Sequence, residues 1–253
     1  MDRQDLFYPE IEVQIGSYVF SQGVSLKIYS DRIAPTDWGK LTFSNPYKEK
    51  ISLMDLDEVV IRLGYAGKLQ EVFLGNLVKG YDGAGCLNEI LFKDRMLMLE
   101  QTSITDTYLS CTPQEIIREG LKKAGITEYK LSDTVYPKRA MFPVVKKSMI
   151  QVLNQINAAW GINVRGNFIK GVFYWGEAPE QKEILEFEYG SNIISLDRNK
   201  DMWELTTVSV PSMQHSQKIS VVHPKVTGIF ETRKIIFQTN EGGFIRTQIY
   251  FKE

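Results

Sequence analysis

Three stretches decide the fold. They are Ile51-Ser-Leu-Met-Asp-Leu-Asp-Glu-Val-Val-Ile-Arg-Leu-Gly-Tyr65, Val72-Phe-Leu-Gly-Asn-Leu-Val78 and Thr112-Pro-Gln-Glu-Ile-Ile-Arg-Glu-Gly-Leu-Lys-Lys-Ala-Gly-Ile126. The first two read as strands of a hairpin turning at Ala66-Gly67-Lys68. The third reads as a helix with Thr112 at the N-cap, Pro113 at N1 and Glu115 at N3, a capping box closed at the far end by Gly125. Nothing in these stretches is arranged for catalysis. A barrel-type hairpin followed by a packed helix points to a structural protein.

Working outward, the first block continues as β. Ile11 to Gly16, Val24 to Tyr29 and Trp38 to Phe43 alternate apolar with polar residues, the pattern of half-buried strands. Asn45-Pro46 breaks the pattern, Asp82 to Gly85 reads as a loop, and Leu87 to Glu100 reads as a further strand pair. A second helix starts in its own capping box, Ser148 to Gln151, carries an apolar stripe to Trp160 and stops at Gly161. Leu131 to Val145 between the helices reads as an extended connection, with Tyr136, Arg139 and Phe142 placed to touch a partner.

After Gly161 the chain returns to strands. Ile162 to Arg165 and Phe168 to Trp175 read as a hairpin around Gly166-Asn167. Strands follow at 183–189, 192–196, 203–210, 219–222, 228–232, 234–238 and 244–251, with the last turn at Asn240 to Gly243. The fold class is mainly β with α (α+β). Two strand-rich blocks flank a helical middle, as a barrel or sandwich class would give.

The 253 residues suffice for a sizeable core, and 30 basic against 31 acidic residues leave a net charge of -1. That balance argues against a nucleic-acid binder. Lys122-Lys123 and Lys146-Lys147 are the basic clusters, and both read as solvated ends. No apolar run reaches the length of a membrane span, and the charged N-terminus reads as no signal peptide. Cys86 and Cys111 read as separate thiols of a reducing compartment, with one disulfide between them as the alternative.

The residues yield no catalytic, cofactor-binding or metal-binding site. His215 and His223 lack ligand-spaced neighbours. Gly80, Gly83 and Gly85 match neither a dinucleotide nor a phosphate loop. Glu183, Glu186 and Glu188 are the carboxylates that a cell-wall or carbohydrate-active enzyme would use. Yet Glu186 and Glu188 alternate with Leu185 and Phe187 as the wet side of a strand does.

The order of these features resembles a known family. Glu58-Val-Val-Ile-Arg-Leu-Gly64 with Glu71-Val-Phe-Leu-Gly-Asn-Leu-Val78 looks like the characteristic hairpin of phage tail hub proteins. The capped helix at Thr112, the helix from Ser148 to Trp160-Gly161, and the hairpin of Val164 to Trp175 follow in the family's order. The closing strands Gly228 to Thr232 and Phe244 to Phe251 do too. The family is the baseplate hub, or late control protein D, group of contractile tails, similar to the N-terminal part of type VI secretion spike proteins.

The resemblance implies two tube-like β-barrel domains and no enzymatic activity. It divides the chain into a first barrel region at 1–108, an α+β middle at 109–180 and a second barrel region at 181–253. It also implies a homotrimer that joins a sixfold tail tube to a threefold central spike. Further partners would be a tube-initiator protein, the tape measure and other baseplate proteins. The location would be the virion or an injection particle, after synthesis in the host cytoplasm. A β-barrel module binding protein or nucleic acid is the remaining rival to the hub and to the enzyme.

Overall fold

The computed structural model describes residues 8–43, 51–80, 89–240 and 242–253. Among the described residues the first block holds β1 (Pro9–Ile15), β2 (Tyr18–Phe20), β3 (Val24–Asp31), β4 (Trp38–Phe43), β5 (Glu58–Tyr65), β6 (Lys68–Leu77) and β7 (Ile90–Asp94). The middle holds α1 (Met96–Gln101), β8 (Ser103–Cys111), α2 (Pro113–Lys123), β9 (Tyr129–Leu131), β10 (Arg139–Ser148), α3 (Met149–Trp160), β11 (Gly166–Ile169) and β12 (Val172–Trp175). The last block holds β13 (Leu185–Glu188), β14 (Ile193–Asn199), β15 (Met202–Val208), β16 (Lys218–His223), β17 (Val226–Thr239) and β18 (Ile245–Phe251).

Packing groups residues 1–94 with 180–253 as one compact unit, and 95–179 as another. Residue 108 lies in β8, within the second unit. In the first unit the two strand blocks share one 13-stranded sheet, ordered β14-β15-β18-β17-β3-β4-β7-β6-β5-β1-β2, with β16 on β17 and β13 on β16. The antiparallel seam between the blocks pairs Lys27 to Asp31 of β3 with Gln238 to Lys234 of β17. Each block's edge is thus satisfied by the other's. No pairing among the described residues closes the path into a barrel.

The alternation in the sequence places the core. Val24, Leu26 and Ile28 of β3 are buried, as are Ile245, Ile249 and Phe251 of β18. Phe73 meets Phe92 edge-on with ring centroids 4.8 Å apart. Gly228 to Thr232 and Lys234 to Gln238, expected as two strands, are one strand, β17, bulged between Thr232 and Lys234.

Where β4 begins, two carboxyls are folded together. Asp94 accepts from the Thr36 hydroxyl at 2.7 Å and from the Asp37 amide at 2.9 Å. The half-buried Asp37 carboxyl accepts from the Asp31 amide at 3.3 Å. Desolvation first, and the neighbouring Asp94 second, push the Asp37 pKa up to about 8. Folded Asp37 therefore keeps its proton from the ordinary carboxylate range, near 4, up to about 8. The unfolded chain has lost that proton, so stability falls as pH rises through this window. Asp37→Asn mimics the protonated form. It should add about 1–2 kcal/mol near pH 8 and change little near pH 4. Urea titrations across that range check it, and a variant with an unaltered pH slope contradicts it.

The second unit has its own core, which includes Ile104, Ile116, Leu121, Val152, Phe173 and Trp175. Both capping boxes form. Thr112 N–H donates to Glu115 Oε2 at 2.8 Å, and Ser148 N–H donates to Gln151 Oε1 at 3.0 Å. Gly161 ends α3 in the left-handed region at φ 64°.

Three segments depart from the pattern their sequence suggests. Leu87 to Glu100 is not a strand pair. Its described part is β7 followed by α1, whose short run buries Met96, Leu97 and Leu99 and has no alternation to read. The connection at 131–145 is partly sheet: β10 pairs with β8, and Phe142, expected at the surface, is buried with Val144. The hairpin turns at Lys170-Gly171, where φ is 48° and 75°, not at Gly166-Asn167. Two successive positive φ values match the twist of the flanking strands. Gly166 lies inside β11, where a Cβ would stand 2.4 Å from the Phe173 ring, so packing explains that glycine.

Candidate interaction surfaces

The residues on which chemistry would rest are dispersed. Glu186 and Glu188 stand exposed on β13, alternating with the buried Phe187. The main chain between them is capped by one side-chain amide: Asn192 Nδ2 donates to Glu186 O, and Glu188 N–H donates to Asn192 Oδ1. Gln181 does the same for β16, donating to Lys218 O and accepting from Lys218 N–H. These amides blunt the edge against uncontrolled pairing. No hydrogen bond or ion pair among the described residues joins the side chains of Glu183, Glu186 or Glu188 to a base or nucleophile.

His215 is buried, with Nδ1 2.9 Å from Ser216 Oγ, and desolvation lowers its pKa. His223 Nδ1 accepts from Lys225 N–H at 3.1 Å, and its ring meets Tyr189 edge-on. Among the described residues no group of three potential ligands could hold a metal ion. Cys111 is a buried free thiol, pushed up by desolvation and so held in the unreactive form. Cys86, Gly83 and Gly85 lie outside the described residues. Gly80 donates its N–H to Asp55 Oδ1 at 2.6 Å.

Of the residues expected to touch a partner, Arg139 is exposed but tied down, donating to Ala159 O and lying over Trp160. Tyr136 packs against Trp175 with centroids 5.8 Å apart. Lys123 is held by Asp106 at 3.0 Å.

Two exposed sheet faces carry apolar residues. On the β8–β10 ribbon, Tyr108 and Phe142 lie opposite each other on the inner side. Leu109 and Met141 lie opposite each other on the outer side, 71% and 59% exposed, with Val145 at 66%. The β13–β16–β17 sheet has an outer face built from two rows, Glu186–Ser220–Ile229 and Glu188–Val222–Thr227. Ile229 there is 63% exposed.

One feature of the seam had no signal in the sequence. Lys234 of β17 lies over both Tyr29 of β3 and Tyr250 of β18, at 5.4 and 5.3 Å, and Tyr29 stacks on Trp38 at 4.4 Å. Desolvation, with Glu204 next in weight, pushes Tyr250 up to about 12. The cation thus bridges the two strand blocks on the sheet surface.

No protein-family model matches the chain, and no curated protein matches it in sequence. Solved structures do match. The 43 kDa tail protein of prophage MuSo2 from Shewanella oneidensis superposes with a TM-score of 0.71 at 13% identity, covering 96% of this chain and 97% of that one. A tail protein from Neisseria meningitidis MC58 gives 0.69 at 12% identity, covering 98% and 97%. An E. coli component of the type VI secretion system, itself structurally similar to the T4 tail proteins gp27 and gp5, gives 0.63 at 9% identity, covering 95% and 76%. The chain has the fold of these phage tail and secretion-system proteins.

Proposed function

We propose that the chain is the structural baseplate hub of a phage tail or related contractile injection machine. It acts as a homotrimer between the sixfold tail tube and the threefold central spike. The observation that carries this reading is the joining of two strand blocks, 9–94 and 185–251, by one continuous seam within a tail-protein fold. Each block serves as one tube-like β unit, so three copies present six to the tube. A closed cyclic assembly of this kind is a common solution for identical chains. The tube or tube-initiator protein, the spike, the tape measure and other baseplate proteins are its partners, and the virion or injection particle is its place. The carboxylates Glu183, Glu186 and Glu188 have no catalytic part in it.

Light scattering on a sizing column tests the stoichiometry, alone and with the tube and spike proteins of the same particle. Three copies per complex are expected. A chain that stays monomeric in the presence of both partners contradicts the proposal.

A further inference from the structure

We infer that the outer face of the β8–β10 ribbon in one copy docks on the outer face of the β13–β16–β17 sheet in a second copy, head to tail. The two faces have matching chemistry and opposite charge. The ribbon offers Leu109, Met141 and Val145, with the exposed Lys146 beside them. Lys146 is set there by a bulge between Val144 and Lys147, in which its backbone takes φ 47° and its N–H donates to Thr105 Oγ1 at 3.0 Å. A bulge of this type bends the strand and re-aims a side chain, and pairing resumes at Lys147 opposite Ile104.

The sheet face offers Val222 and Ile229 beside Glu186 and Glu188. Glu231 at its margin is paired with Arg32, and Lys218 lies across from it. Among the described residues, the side chains of Lys146, Glu186 and Glu188 have no ion-pair partner within the chain. Apolar residues set beside exposed charges, Lys146 on the ribbon and Glu186 and Glu188 on the sheet, are features of interaction surfaces.

The occupant follows from the signs. Ribbon against ribbon would set Lys146 against Lys146, and sheet against sheet would oppose two pairs of glutamates. At these positions both symmetric pairings bring like charges together. Ribbon against sheet is attractive, and every copy carries both halves. The contact is therefore heterologous, the kind that builds rings or open arrays. This assignment deepens the assembly proposed above and rests on it for the existence of self-association.

Sedimentation velocity on the full chain tests it, with Lys146→Glu, the pair Glu186→Lys and Glu188→Lys, and all three together. All are exposed positions, where folding should be little affected, and circular dichroism confirms each fold. Each reversal should weaken self-association by about tenfold or more, and the combined variant should restore it. Wild-type association should also fall with added salt. Association of the wild type that neither reversal weakens, or a loss that the combined variant does not restore, overturns this pairing of faces while leaving the hub reading intact. A wild type that is monomeric alone yet assembles on tube and spike also overturns the pairing alone. Failure of both self-association and co-assembly overturns the two together.

Discussion

Gly75→Ala is expected to be among the most damaging single-methyl changes in the chain. Gly75 pairs with Val59 on one side and Asp94 on the other, in the middle of β5–β6–β7. A Cβ there would stand 2.0 Å from Lys93 O and 2.8 Å from Asp94 Cα. These are backbone atoms held in the ladder, so they cannot rotate aside as a side-chain tip can. Relief requires β7 to move, and β7 carries the fully buried Phe92. Overpacking against fixed backbone costs about 3 kcal/mol or more, against a total stability of roughly 5–15 kcal/mol. Gly67→Ala is the control. Gly67 sits in the β5–β6 turn at φ 77° with nothing within 4 Å of an added Cβ, so only backbone strain of about 1–2 kcal/mol is expected. Urea midpoints at constant slope compare the two. Equal losses would show that the close approach of β6 to β7 does not govern this region.

The second large effect is expected at the seam. Phe237 of β17 is buried, lying opposite Ile28 of β3 and Thr247 of β18. Phe237→Ala removes a core ring where the two strand blocks join, and should cost about 3–5 kcal/mol. The loss should also be shared. Amide exchange should speed up in β3 and β17 together, because the two strands protect each other along one ladder. A loss under about 1 kcal/mol, or faster exchange confined to β17, would mean that the blocks are held together elsewhere.

Much of this fold was legible, for local reasons. The alternation at Val24 to Tyr29 and Phe244 to Phe251 states which side of each strand is buried. Thr112 with Glu115, and Ser148 with Gln151, state where the two longer helices begin. The misreadings arose where local pattern is ambiguous or packing overrides it. Met96 to Leu99 is an apolar run without a period. Gly166-Asn167 has turn chemistry but lies within a strand because Phe173 fills the space beside Gly166. Phe142 reads as exposed until β10 is paired with β8, and only that pairing assigns its side.

The surfaces were less legible than the fold. The alternation at Glu186 and Glu188 marks the wet side of a strand, and both are exposed on β13. Their grouping with Val222 and Ile229 depends on a parallel pairing of β13 with β16 that no local signal announces. The same holds for Lys234 between Tyr29 and Tyr250, and for Asp37 beside Asp94. These pairs are distant in sequence, and register alone brings them together.

The most direct measurement is an electron-microscopic reconstruction of the complex formed when this chain is mixed with the tube and spike proteins of its own particle. The hub reading predicts a single ring of three copies between tube and spike, with both strand blocks of every copy facing the tube. A chain that binds neither partner, or that sits away from the tube–spike axis, would contradict it.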